Sequence, residues 1–213
     1  MPPELHDPLL TANGEAEAAR TAEQARSLPP PQLVVVSPLR RATQTGLIVF
    51  EHATRAGVPV VAHELCRETW IGSDPSIYDS RLSRDVLAKA YPQVDYERFV
   101  FDTERSHIPG EGPVHDPLWC FSASPYGWSP RGHDEALVAE HAYAFLWWLM
   151  DREERTIAVA SHSGFLLALF HACCEAHFDE PQVLFTGELR VVAVSEANAP
   201  DVTGHFHTNP SRY

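Results

Sequence analysis

The sequence predicts an α/β fold, a three-layer α/β/α sandwich around a mostly parallel sheet, and three observations carry that prediction. Leu33-Val34-Val35-Val36 and Thr156-Ile157-Ala158-Val159-Ala160 are short continuous apolar runs rich in β-branched residues, the pattern of strands buried on both faces. Each run breaks at a serine and passes into a helix-like segment. Strand-like and helix-like segments then alternate along the chain, which is the order that builds a sheet covered on both faces.

Taken in order, Asp7-Pro8-Leu9-Leu10-Thr11 is an extended lead-in, and Thr11 or Asn13 can cap the Ala- and Glu-rich helix predicted over 14–27. Pro29-Pro30-Pro31 ends that helix before the strand at 33–36. Ser37-Pro38 supplies a cap and a proline at the first helical position for a helix over 39–54. Val58-Pro59-Val60-Val61 predicts a further strand, moved toward the sheet's edge by its proline. From Cys66 to about Arg131 prolines interrupt every pattern except a short helix over 83–90, so the chain is read as one domain, 1–213, with a long insertion at about 66–131 lying over the sheet. Leu137, His141, Phe145 and Trp148 recur at helical spacing over 134–150, with Trp147 and Trp148 on the core face. The strand at 156–160 leads into a helix over 165–177, and Leu189–Val194 predicts a last strand.

Composition narrows the function. Of 213 residues 44% are hydrophobic, enough for a substantial core, and 29 acidic against 16 basic residues give a net charge of -13. That balance argues against nucleic acid or an anionic membrane as a partner, since both need clustered Lys and Arg. No apolar run reaches bilayer-spanning length, and Met1-Pro2-Pro3-Glu4 opens with no secretory pattern, so a cytoplasmic protein is expected. Cys66, Cys120, Cys173 and Cys174 form no Cys-x-x-Cys pair and read as buried reduced thiols. His205 and His207 lack a third ligand, and no His-Glu-x-x-His is present, so neither a metal nor another cofactor is expected.

The chemistry concentrates at two strand-to-helix turns, Ser37-Pro38-Leu39-Arg40-Arg41-Ala42 and Ser161-His162-Ser163-Gly164. In a parallel sheet these turns share the carboxyl edge, where helix amino-termini offer free N–H groups to an anion. Two arginines in a first helical turn oppose the helix dipole by up to about 1 kcal/mol each, so something negative should offset them: a bound anion or a neighbouring carboxylate. His162 on its own reads as a core histidine; beside the arginines it becomes part of a constellation.

Ser37-Pro38-Leu39-Arg40-Arg41-Ala42-Thr43-Gln44-Thr45, Arg67-Glu68 and Ala160-Ser161-His162-Ser163-Gly164-Phe165-Leu166 together resemble the histidine phosphatases, also called the phosphoglycerate mutase-like superfamily. Asp7 to Thr11 with Gly14 is similar to the lead-in that follows the family's first motif, and the resemblance looks closest to the small mutase-like branch of plants, fungi and protists. It implies hydrolysis of a phosphate monoester through a phosphohistidine. Arg41 would clamp the phosphate, His162 would contact the transferring phosphoryl group and Glu68 would protonate the leaving oxygen; Arg40, Ser163 and Arg81 are further candidates for substrate contact, Arg81 alternatively being a surface residue. The implied ligand is a phosphorylated small molecule or phosphoprotein.

One departure qualifies the match. The family's nucleophile lies in an Arg-His-Gly or Arg-His-Ala motif on a first strand, and neither tripeptide occurs in these 213 residues. His6, in Leu5-His6-Asp7, has no arginine before it. A truncated product or a relative that has lost that strand would both turn over little substrate, and the exposed neighbouring edge predicts self-association. The alternatives are therefore an impaired phosphatase and a non-catalytic phospho-ligand-binding pseudoenzyme. A third takes Ser163 as an α/β-hydrolase nucleophile, although Phe165 is bulky where such an elbow needs a small residue.

Overall fold

The computed structural model describes residues 6–68, 79, 81–98, 123–124, 127–128, 135–172 and 184–194. Thr11 caps the first helix, α1 (Ala12–Ala25), its Oγ1 accepting from Gly14 N at 3.1 Å. The strand β1 (Leu33–Val36) follows, buried at all four positions. The predicted helix over 39–54 forms in two pieces, α2 (Arg40–Val49) and α3 (Glu51–Arg55), parted at Phe50. Next come β2 (Val60–Ala62), a 3-10 turn (Glu64–Cys66), α4 (Arg84–Ala90) and β3 (Val94–Asp95). A two-stranded antiparallel pair, β4 (Ala123–Ser124) and β5 (Gly127–Trp128), precedes α5 (Glu135–Met150), β6 (Ile157–Ala160) and α6 (Ser163–Ala172).

The main sheet has the order β3-β2-β1-β6, and every pairing in it is parallel. Side chains of β1 alternate between two cores, as the two-residue period of a strand requires. Val34 and Val36 pack with Ala18 and Ala25 of α1, Val49 of α2 and Phe50 at the α2–α3 junction, while Leu33 and Val35 pack with Phe145 and Phe165 from α5 and α6. Helices thus cover both faces. The three-layer α/β/α architecture read from the sequence is the one observed.

Several local expectations are corrected. The second strand is interior, between β1 and β3, because Pro59 falls one residue before it: its missing donor is not needed, and its carbonyl accepts from Val34 N at 3.0 Å. Part of the 66–131 segment belongs to the sheet, since Val94 and Asp95 pair with Val60 and Val61. Trp147 is 51% exposed, so only Trp148 of that pair faces the core, stacking on Phe145. Residues 189–194 form no strand. No described strand pairs with them, and Val191, Val192 and Val194 stay exposed; an extended run becomes a strand only when a neighbour satisfies its backbone groups. The preceding turn instead docks on α1, where Thr21 Oγ1 donates to the Gly187 carbonyl. Cys120, Cys173, Cys174 and the His205/His207 pair lie outside the described residues.

Gly46 lets α2 approach the sheet. A Cβ built there would stand 2.5 Å from Val36 Cγ1 and 3.2 Å from Ala160 Cβ, against the two strands that lead into the site. Gly46→Ala is expected to cost about 1–3 kcal/mol through overpacking, and Gly46→Ala with Val36→Ala to be less than additive because the clashing methyl is removed. Urea titration of the two single variants and the double variant checks this; strict additivity would show that the close contact is not the cause.

Candidate active site

The carboxyl ends of β1 and β6 bring the two turns together. Ser37 continues the ladder past β1, its N–H donating to Ala160 O at 2.9 Å, and His162 lies two residues beyond β6. Their side chains meet, His162 Nε2 and Ser37 Oγ being 2.9 Å apart. The other ring nitrogen, Nδ1, is 3.9 Å from Glu68 Oε2. Ser161 Oγ donates to the Cys66 carbonyl at 2.7 Å, which ties the end of β6 to the turn carrying Arg67 and Glu68. His162 is 7% exposed, and its pKa is held well below 6.5, first by burial and then by the positive charges of Arg41 and Arg67. The ring is therefore neutral at physiological pH.

The α2 helix begins at Arg40, two residues later than Ser37-Pro38 suggests, and its cap comes from afar. Arg40 N donates to Asp7 Oδ1 at 2.8 Å, and Leu82 N donates to the other oxygen at 3.2 Å. Asp7 is fully buried at φ 46°, and burial raises its pKa to about 6 against the opposing pull of those two N–H groups and of Arg40 and Arg41. Arg40 folds back over the same lead-in, with Nε on Asp7 O at 2.6 Å and a terminal nitrogen on His6 O at 3.1 Å. Arg41 ion-pairs with Asp79 at 2.8 Å. The negative partners that the arginine pair calls for are thus supplied, at least in part, by Asp7 and Asp79.

Behind Arg41 lies a buried charge cluster. Glu64, 2% exposed, accepts from Arg67 at 3.1 Å and from Arg81 Nε at 2.9 and 3.1 Å. Arg67 also donates to the Asp79 carbonyl at 2.5 Å, and Arg81 to the Leu82 carbonyl at 3.0 Å. Arg81 is completely buried rather than a surface residue, its Nε donating to both oxygens of the Glu64 carboxylate. Ser163 opens α6 and is exposed.

The structure therefore gathers His162, Glu68, Arg41 and Arg67 at one sheet edge, with Arg40 and Arg81 bound into the scaffold beside it. Sequence reasoning missed Ser37 as the partner of His162, along with Asp7, Glu64, Arg67 and Asp79. The one available signal was the opposed dipole at Arg40 and Arg41, which called for something negative, a bound anion or a carboxylate, without saying which. Among the described residues no group of three or more His, Cys, Asp or Glu could hold a metal ion. No described helix is long and apolar enough to cross a membrane.

Residues 4–90 match the histidine phosphatase superfamily, branch 1. The chain is 30% identical over 173 residues to a phosphoglycerate mutase-like protein of Arabidopsis thaliana, a match covering 68% of this chain and 55% of that protein. It is 30% identical over 166 residues to phosphoglycerate mutase-like protein 1 of the same plant, covering 66% and 51%. The chain belongs to the histidine phosphatase superfamily, and its relatives are phosphoglycerate mutase-like proteins. It spans about half the length of the curated relatives it matches. Among solved structures, mycobacterial glucosyl-3-phosphoglycerate phosphatase is similar at 21% identity and a TM-score of 0.44, over 76% of this chain and 67% of that one.

Proposed function

We propose that this chain forms the phosphate-binding part of a phosphomonoester hydrolase site, with Arg41 as clamp, His162 as hydrogen-bond donor and Glu68 as general acid. The carrying observation is the approach of His162 Nδ1 and Glu68 Oε2 to 3.9 Å beside Arg41, at the carboxyl edge of a parallel sheet. Phosphoryl transfer asks chiefly for positioning and for cationic and N–H donors on the equatorial oxygens. A guanidinium fork and an imidazole N–H supply these, and a carboxyl group can hand its proton to the leaving oxygen as the phosphorus–oxygen bond breaks. In the family reaction a histidine accepts the phosphoryl group and water then displaces it. With no Arg-His-Gly or Arg-His-Ala among its 213 residues, this polypeptide is proposed to bind phosphate and turn over little ester by itself.

Asp79, seated on Arg41 at 2.8 Å, favours a second reading, a phospho-ligand-binding pseudoenzyme in which a carboxylate holds the clamp until a phosphate displaces it. Titration of the purified chain with orthovanadate or inorganic phosphate, together with an assay on p-nitrophenyl phosphate, tests both. Arg41→Ala and His162→Ala should each weaken vanadate binding, Arg41→Ala by roughly 10- to 100-fold as expected for a lost charged hydrogen bond. Binding unchanged in both variants would sink the assignment. Rapid ester turnover abolished by His162→Ala would instead show that the chain is a complete catalyst.

A further inference from the structure

We infer that Ser37 fixes the tautomer of His162, placing the ring's proton on Nδ1 and so aiming its N–H donor at Glu68 and the anion position. The argument is one of hydrogen-bond satisfaction around two buried groups. Ser37 is fully buried, and its Oγ accepts from Leu39 N at 3.3 Å. If it also accepted from His162 Nε2–H, its own hydroxyl proton would be sealed inside the protein with no described acceptor, a cost that buried polar groups avoid. If the hydroxyl donates to Nε2 across 2.9 Å, the serine donates once, accepts once and leaves nothing unmet. A neutral imidazole that accepts at Nε2 carries its proton on Nδ1, the nitrogen 3.9 Å from Glu68 Oε2.

The serine is itself held from behind. Thr43 Oγ1 donates to the Ser37 carbonyl at 3.0 Å and lies 3.3 Å from the Tyr96 hydroxyl. Thr43 has a single proton and gives it to that carbonyl, so Tyr96 donates to Thr43. Burial keeps the Tyr96 hydroxyl protonated, and Thr43 is 0% and Tyr96 1% exposed. A one-way relay from Tyr96 through Thr43 thus fixes the peptide that presents the Ser37 hydroxyl. The chain ends on a neutral N–H rather than a lone pair facing an incoming phosphate, whose oxygens can only be repelled by a lone pair. Ser37 is a positioning residue, acting through His162.

The closing experiment separates this inference from the phosphate-binding reading on which its consequence rests. In protein labelled with nitrogen-15, a two-bond proton–nitrogen correlation spectrum at neutral pH, with His162 assigned by its loss in His162→Gln, should show the Nδ1–H pattern in the wild type. Ser37→Ala, checked for an intact thermal transition, should shift His162 toward the Nε2–H form or a mixture and weaken vanadate binding by a few-fold to about tenfold, the effect of one neutral hydrogen bond. An Nε2–H pattern in the wild type overturns the inference, even if the serine variant does not fold. So does an unchanged pattern in folded Ser37→Ala. If the tautomer follows Ser37 but vanadate binds neither protein, the relay stands and the anion site fails.

Discussion

Glu64→Ala is expected to destabilise the protein by about 3–5 kcal/mol, because the change strips a carboxylate from two buried guanidinium groups. Arg81 is completely buried and Arg67 nearly so, and Glu64 forms an ion pair with each. For a chain of this length the loss should lower the midpoint of thermal unfolding by on the order of 10 °C. The expectation separates the cost of an unpaired charge from the worth of the pair. Glu64→Met combined with Arg81→Met, which removes charge on both sides and fills the volume, should recover more than half of the loss, since buried ion pairs often gain little over a packed apolar pair. Calorimetry of the two variants decides it. A loss below about 1 kcal/mol for Glu64→Ala would mean that the cluster is effectively solvated. Glu64→Ala should also weaken anion binding, because Arg67 and the neighbouring Glu68 take their position from this cluster.

Acid should unfold the protein through two histidines that are folded in the neutral form. His63 packs its ring against Phe145 at 5.3 Å and Trp148 at 4.5 Å, its Nδ1 accepts from Leu65 N at 3.2 Å, and burial lowers its pKa to about 4. The unfolded chain takes up a proton near pH 6.5 and the native state resists until about 4, so stability present at neutral pH is lost as pH falls across that window. His162, held neutral by burial and by Arg41 and Arg67, adds a loss of the same sign. For His63 alone the effect between pH 7 and 4.5 is about 2.5 kcal/mol. His63→Asn keeps an acceptor for Leu65 N but cannot titrate. Its unfolding free energy should fall less than that of the wild type over this range by about that amount. Parallel pH profiles for the two proteins would remove His63 from the acid response.

The linkage has a counterpart of opposite sign. Burial raises the pKa of Asp7 to about 6, so its ionisation costs stability as pH rises from about 4 to 6, partly offsetting the histidines in the same window. A flat stretch in the wild-type profile there would not mean that these groups are silent, which is why the variant comparison, rather than the wild-type curve, carries the test.

Much of the architecture was legible in the sequence for simple physical reasons. Leu33–Val36 and 156–160 are apolar on both faces, and both proved to be parallel strands paired with each other; β1 is interior and buried throughout, as read, whereas β6 is the last strand of the described sheet and is only half-buried before Ala160. Helix placement followed from Thr11 and the prolines at 29–31, whose effects are local. The turns after β1 and β6 likewise placed Arg41 and His162 at one edge, because strand direction alone fixes which ends meet. The motif order carried the resemblance to the histidine phosphatases, with which the match over residues 4–90 and the plant relatives agree.

What only the tertiary structure decided was pairing between residues distant in sequence. Residues 189–194 have the composition of a strand and form none, because a strand depends on a neighbour that no local pattern specifies. Val60–Ala62 reads as an edge strand and lies inside the sheet, because Pro59 falls one residue outside the ladder. The site shows the same division. Its charged residue types were readable, but Asp7 is 33 residues from Arg40, Asp79 is 38 from Arg41 and Ser37 is 125 from His162. Hydrogen bonds and ion pairs act across a few ångströms of space, whereas propensity and periodicity extend a few turns along the chain. The sequence by itself therefore determined which charged groups lie at the shared sheet edge; the fold decided which carboxylates hold the arginines, and which hydroxyl meets the His162 ring.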